Sequence, residues 1–314
     1  MTHPVHRRNI LQATAAGSVA LAINDVRVGL ATSTPPTGWI DAHVHVWTPD
    51  TKRYPLSPKY KPSDMVPASF TPDELLAHAK PAGVSKIVLI QMSFYEFDNR
   101  YMLDCIQNYP GTFSGVGIVN HDDLALRDTM RSLGKRGVKG FRLYTDKQSA
   151  ENWERSTGIK TMWEEAADSG QVMCLLANPD ALPAVHKMCQ RYPRTRVVID
   201  HFARIGLSGT IHPTELDELC RLSKFENVFV KVSAFYALGQ KKEPYLDLAP
   251  MIRRLKEVYG PERLMWATDC PYQVQNEHTY SASLTLIKDK LDFLSDRDKN
   301  WMLRDTAEKV FFAN

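Results

Sequence analysis

The chain has 314 residues, 43% hydrophobic and 24% charged, with a formal net charge of +3. That composition suits a globular protein with a sizeable core and excludes a largely disordered chain. Lys and Arg are interspersed with Asp and Glu, without a long basic run carrying aromatics, so nucleic acid is not an expected partner. The five cysteines, Cys105, Cys174, Cys189, Cys220 and Cys270, contain no CxxC pair, which argues against a zinc ribbon or a disulfide scaffold.

The N-terminus carries Arg7-Arg8-Asn9-Ile10-Leu11-Gln12, then a weakly apolar stretch from Ala13 to Ile23. It resembles a twin-arginine signal peptide: paired arginines precede an apolar run well short of the roughly 20 residues a spanning helix needs. Residues 1–35 are therefore expected to direct export to the periplasm, with a cytoplasmic protein as the alternative. No stable membrane anchor is expected from any later segment, and residues 36–314 are read as one domain.

From Trp39 onward, β-branched apolar runs alternate with segments of helical period. Strands are expected over Trp39–Val46, Ser85–Met92, Phe113–Asn120, Val138–Tyr144, Val172–Ala177, Arg196–Phe202, Val228–Phe235 and Arg263–Asp269. Helices are expected between them, among them Pro72–Lys80, Leu124–Lys135, Thr157–Ser169, Asp180–Arg191 and Leu246–Tyr259. Thr71-Pro72-Asp73-Glu74 supplies a cap followed by proline at the first helical position. Strand and helix repeated eight times fits a closed parallel (β/α)8 TIM barrel. No GxGxxG or P-loop turn follows any strand, which counts against nucleotide binding. The insertion Thr48–Phe70 is expected to form a lid after the first strand, and Asp296–Phe312 an extra C-terminal helix packed on the outside.

In such a barrel the chemistry lies where the strands end. Asp41, His43 and His45 alternate along the first strand, which predicts a shared face on which two imidazoles converge. His201 ends the sixth apolar run and Asp269 the eighth. Arg142 and Tyr144 end the fourth, and Trp47 follows the first. Lys231 and Ser233 share a face of the seventh, where Lys231 sits early enough to fill a lower layer as a paired charge. His121 and His278 are read as surface loop residues.

Taken together, Ile40-Asp41-Ala42-His43-Val44-His45-Val46-Trp47, Gly137-Val138-Lys139-Gly140-Phe141-Arg142-Leu143, Val198-Ile199-Asp200-His201, Val230-Lys231-Val232-Ser233 and Arg263-Leu264-Met265-Trp266-Ala267-Thr268-Asp269-Cys270-Pro271 resemble the amidohydrolase superfamily, in its amidohydrolase-related branch of lactonases and decarboxylases. The resemblance spans nearly all of Trp39 to Asn314. It implies that His43 and His45 bind one divalent metal, with zinc the first choice and a metal-free enzyme the alternative. It also implies that His201 lies in the same pocket and that Asp269 is general base and ligand. The chain departs from the pattern in two places. The fifth strand ends in Ala177-Asn178 with no histidine, and the fourth offers no lysine for a bridged two-metal site.

The reading that follows is a hydrolase acting on a small cyclic ester, with Asp269 and His201 catalytic and His43, His45, Asp269 and His201 around the metal. Arg142 would hold a carboxylate or lactone oxygen through its planar fork, and Trp47 and Tyr144 would offer ring faces to the substrate. The alternatives are a metal-dependent decarboxylase of an aromatic or unsaturated acid and a binding protein on an inactive barrel. The expected partner is a small molecule, and a homo-oligomer is left open.

Overall fold

The computed structural model describes residues 38–313; the export segment expected over 1–35 lies outside them. The eight apolar runs form eight parallel strands: β1 (Trp39–Val44), β2 (Val84–Ile90), β3 (Phe113–Gly117), β4 (Val138–Thr145), β5 (Val172–Ala177), β6 (Arg196–Ile199), β7 (Val228–Val232) and β8 (Leu264–Trp266). Each is hydrogen-bonded to the next in sequence order, the arrangement that repeated crossover helices impose. Those helices are α1 (Pro72–Ala79), α2 (Arg100–Asn108), α3 (Leu126–Lys135), α4 (Lys147–Asn152), α5 (Thr157–Ser169), α6 (Leu182–Arg191), α7 (Pro213–Arg221) and α8 (Ala249–Tyr259); α9 (Tyr280–Thr285), α10 (Asp296–Asn300) and α11 (Thr306–Phe311) follow β8. At α1 the Thr71 hydroxyl accepts from the Glu74 amide, and the Glu74 carboxylate accepts from the Thr71 amide, which satisfies otherwise orphaned donors. No helix among the described residues is long and apolar enough to cross a membrane.

The barrel closes where the last strand meets the first. Val44 bridges Cys270, the His45 amide donates to the Cys270 carbonyl, and the Asp269 amide donates to the His43 carbonyl. Asp41 completes this seam. Its carboxylate accepts from the Thr268 amide (2.9 Å), the Thr268 hydroxyl (2.5 Å), the Tyr280 hydroxyl (2.8 Å) and the His43 amide (3.2 Å).

The shared face expected for Asp41, His43 and His45 holds only for the two histidines. Asp41 pairs with Ile87 and Val44 with Leu89, so β1 spends one residue more than β2 over this stretch. Such a bulge reverses the alternation of side chains. Asp41 therefore faces Tyr280 of α9, while His43 and His45 turn into the barrel mouth.

Six strands end earlier than their apolar runs suggest: β1 at Val44, β2 at Ile90, β3 at Gly117, and three more that turn sharply out of the sheet. β6 stops at Ile199, β7 at Val232 and β8 at Trp266, and the residues beyond leave the ladder through positive φ: His201 to Arg204 at 52–60°, Ala234 at 57° and Asp269 at 68°. The insertion Thr48–Phe70 folds back at the Trp47–Phe70 bridge and runs along the flank. Tyr54 donates to Asp104 of α2, Ser57 bonds Glu96, and Tyr54, Met65 and Phe70 are buried.

The C-terminal segment expected on the outside instead plugs the end where the strands begin. Ala307, Val310 and Phe311 join the apolar interior with Ile40, Val88, Val172, Val198, Phe229 and Met265. Lys86 at the start of β2 bonds Glu308, and Lys139 at the start of β4 bonds the Ala313 carbonyl. Interior side chains at that end are apolar and need a lid of their own, which an outer position would not supply. Phe311 is fully buried, so Phe311→Ala should cost about 3–5 kcal/mol through cavity formation. Urea denaturation measures it, and a loss below about 1 kcal/mol would show that this ring does not complete the core.

Candidate active site

Three elements bring the reactive side chains to one point at the opposite end. The β1 bulge delivers His43 and His45, and the turn after β8 delivers Asp269. His43 Nε2 lies 3.2 Å from His45 Nε2, and Asp269 Oδ1 lies 3.4 Å from the first and 3.3 Å from the second. The turn after β6 adds His201, whose Nε2 is 3.8 Å from the same oxygen. All four are buried.

The histidines are held from behind. His45 Nδ1 is 2.9 Å from the Ile90 carbonyl, an acceptor only, so Nδ1 carries a proton and Nε2 is the nitrogen turned to the site. His201 Nδ1 is held by the Ser233 hydroxyl at 2.8 Å. His43 Nδ1 faces both the Lys231 ammonium (3.2 Å) and Asp200 Oδ1 (3.5 Å). Lys231 is fully buried and pairs with Asp200 Oδ1 at 3.0 Å, with the Phe311 ring beneath it.

These surroundings set the charges. Burial pushes the His43 pKa down, and the neighbouring Lys231 and His201 push it further, so this imidazole is neutral. Burial likewise lowers His201. Burial would raise Asp200, but the Lys231 ammonium outweighs it and keeps the carboxylate ionised. Burial would raise Asp269 as well, and the His201, His45 and His43 imidazoles reverse it to below the ordinary carboxylate range.

A metal fits this donor set. Oδ1 of Asp269 is a buried carboxylate oxygen with no hydrogen-bond partner, which is costly unless something else satisfies it. A tetrahedral zinc with bonds near 2 Å sets its ligand atoms about 3.3 Å apart, close to the spacings of His43, His45 and Asp269. With Nε2 engaged, the Nδ1–H of His43 would point at Asp200, the carboxylate behind a ligating histidine that fixes its ring.

His45, His201 and Asp269 floor a cavity of 580 Å³ walled by Arg142, Arg204, Tyr144, Leu207, Tyr236 and Tyr272, with His43 buried behind them. Among the described residues Arg142 makes no salt bridge, and the Arg204 guanidinium bonds only the Asn178 side-chain oxygen. Tyr144 stands exposed at the rim. Trp47, expected to touch substrate, does not line this cavity. Its ring is fully buried against Phe94, and its Nε1 donates to the Pro67 carbonyl, because the fold-back of the insertion covers it. None of Thr48–Phe70 lines the cavity either. A larger open groove of 1020 Å³, between residues 121–131 and the start of α5, contains His121 but none of these groups.

Arg204 carries no signal in the sequence strong enough to single it out, whereas Asp200 stands in the Val198-Ile199-Asp200-His201 motif and Tyr236, just after the seventh apolar run, is an aromatic placed to offer a ring face. Arg204 falls beyond a run that reads as strand, and only the left-handed turn aims it inward. Lys231 does have one: a lysine within Val228–Val232 must either break the strand or find a buried partner.

A sequential eight-stranded barrel with an ionised carboxylate among imidazoles at its C-terminal mouth defines an enzyme of the metal-site barrel class. The chain belongs to the amidohydrolase family, whose model matches residues 40–313. It is 27% identical over 255 residues to a 2-pyrone-4,6-dicarboxylate hydrolase of Comamonas testosteroni, covering 77% of this chain and 80% of the relative. It is 26% identical over 248 residues to a 4-sulfomuconolactone hydrolase of Rhizobium radiobacter, covering 76% and 77%. An amidohydrolase from Burkholderia multivorans, solved with bound zinc, superposes with a TM-score of 0.73 at 17% identity, covering 87% of this chain and 99% of that one.

Lys231→Met should cost about 3–5 kcal/mol, because it leaves the Asp200 carboxylate buried and unpaired. Adding Asp200→Asn should recover most of that loss. Denaturant melts of the two variants beside the parent measure both steps; a single variant as stable as the parent would remove the pair from the account of the site.

Proposed function

We propose that this protein hydrolyses a small lactone bearing anionic groups. The observation that carries the reading is the Asp269 carboxylate, ionised, buried and unpartnered at Oδ1 among the described residues, on the floor of a cavity that holds two guanidinium groups with no salt bridge to a described residue. An ionised carboxylate within reach of a water is a general base, and guanidinium forks with donors to spare suit carboxylate or sulfonate oxygens. The names of the two relatives, a dicarboxylate and a sulfomuconolactone hydrolase, support that class of substrate.

In this scheme Asp269 Oδ1 takes a proton from water as the water oxygen bonds to the lactone carbonyl carbon. His201, whose Nε2 also faces the site, orients the carbonyl and donates to its oxygen as charge develops there. The ring C–O bond then breaks, and the proton held by Asp269 passes to the leaving alkoxide, giving an open-chain hydroxy acid. A divalent metal held by His43, His45 and Asp269, with zinc the first choice, would supply Lewis acidity toward carbonyl and water. Arg142 and Arg204 hold the anionic substituents, and Tyr144 lies against the ring from the rim.

The test is turnover of 2-pyrone-4,6-dicarboxylate and of an uncharged δ-lactone, with metal content measured on protein purified without added metal. Asp269→Asn is isosteric and should keep the melting temperature while turnover falls by about two to four orders of magnitude. Arg142→Lys should lower kcat/KM for the acidic lactone far more than for the uncharged one, since an ammonium cannot copy the fork. Equal losses on both would end the anion-binding role, and an Asp269→Asn protein with full turnover would end the role of base.

We also propose export. The paired Arg7 and Arg8 ahead of the Ala13–Ile23 run support it. Residues 1–35 fused to a folded reporter should carry it to the periplasm, and Arg7→Lys with Arg8→Lys should stop it; a reporter retained inside in both cases would make the protein cytoplasmic.

A further inference from the structure

Asp269 has a firm backbone and a loosely determined side chain. Its amide is tied to the His43 carbonyl at 2.9 Å and its φ is 68°, so the position of Cβ is set by the barrel seam. The terminal torsion of an aspartate is broad and nearly two-fold. Left to itself, the carboxylate could turn either oxygen, or neither squarely, toward the imidazoles.

One contact resolves this. The Tyr236 hydroxyl donates to Asp269 Oδ2 at 2.7 Å, and Oδ1 receives no hydrogen bond. We propose that Tyr236 is a positioning residue for Asp269: its hydroxyl fixes the rotation of the carboxylate, so that Oδ1 alone faces the three imidazoles and the reacting water. The proposal rests on the reading of Asp269 as general base.

The tyrosine is itself well held. Its ring packs 6.2 Å from Tyr272, tilted by 31°, and 6.2 Å from His278. It follows Ala234, whose left-handed backbone (φ 57°, ψ 42°) turns the chain back over the mouth directly after β7. The same few residues present Ser233 to His201 Nδ1. The end of β7 thus orients two of the groups placed in the chemistry and comes from neither of the strands that close the seam.

Tyr236 also lines the cavity, so a role in gripping substrate has to be weighed. A phenol has one proton to donate, and here Oδ2 takes it. That favours a group that aims the base over one that binds substrate.

The experiment compares the parent, Tyr236→Phe and Asp269→Asn on 2-pyrone-4,6-dicarboxylate and the uncharged δ-lactone, with melting temperatures alongside. Phe keeps the ring and removes only the hydroxyl. We expect kcat to fall about 10- to 100-fold, the range for losing a group behind a reacting residue, on both lactones, with KM within about two-fold and the melting temperature unchanged. Zinc affinity, read by competition with a chromophoric chelator, should weaken by a similar factor. A rise in KM at constant kcat would make Tyr236 a substrate-binding residue and overturn the proposal, as would parental values of both constants. If Asp269→Asn stays as active as the parent, or the parent opens neither lactone, the general-base reading itself fails and takes this inference with it. That result differs from a Tyr236→Phe enzyme that stays active while Asp269→Asn is dead.

Discussion

The rest of the structure depends on the seam between the first and last strands, and the seam depends on Asp41. One buried carboxylate accepts four hydrogen bonds, three of which join β1 to the Thr268 segment and to α9. Burial raises its pKa to about 6 against the pull of those donors, so at neutral pH it is an ionised group whose charge is met by directed N–H and O–H dipoles. Two residues after Asp41 stands His43, and one residue after Thr268 stands Asp269. The interaction that closes the barrel therefore also sets the distance between ligands and base. The bulge beside Asp41 makes this compatible: it lets one strand send a carboxylate outward and two imidazoles inward within five residues.

Along its axis the interior changes character in three steps, each answering a different physical demand. At the end where the strands begin, Ile40, Phe229 and Met265 pack against Phe311 of α11 and exclude water. Above them the Lys231–Asp200 pair lies fully buried. A buried ion pair is seldom a net gain in stability, and its position directly behind His43 gives it another use, as a fixed charge that holds one imidazole neutral and in place. At the mouth the polar groups outnumber their partners, and Asp269 Oδ1, Arg142 and Arg204 face the cavity with bonding capacity to spare. Unsatisfied polarity of this kind is destabilising in a core and useful in a site.

The backbone shows the same division of labour. His201, Phe202, Ala203 and Arg204 all adopt positive φ, a conformation that costs an L-residue roughly 1–2 kcal/mol. Runs of such residues persist only where the surroundings over-determine them. Here Phe202 and Ala203 are buried, Ser233 holds His201, and Asn178 holds Arg204. The regular barrel supplies the stability, and the irregular turns beyond its strands aim the side chains.

Much of this was legible in the chain itself. Apolar periodicity determined the eight strands, their order and the closed parallel barrel, because side-chain burial on a strand or helix face is written directly into the spacing of residues. The HxH pair on β1, His201 after β6 and Asp269 after β8 stood out because polar residues ending apolar runs lie at a barrel's mouth. Other features were decided only in three dimensions. The β1 bulge turned Asp41 away from the two histidines; the insertion covered Trp47 and left the mouth open; α11 entered the bottom of the barrel; and left-handed turns pointed Arg204 and Tyr236 into the cavity. Periodicity reports which residues are buried, and these features turn on what buries them. A bulge, a left-handed turn or a docked helix is selected by contacts between segments far apart in sequence, and no local pattern of residues records those contacts.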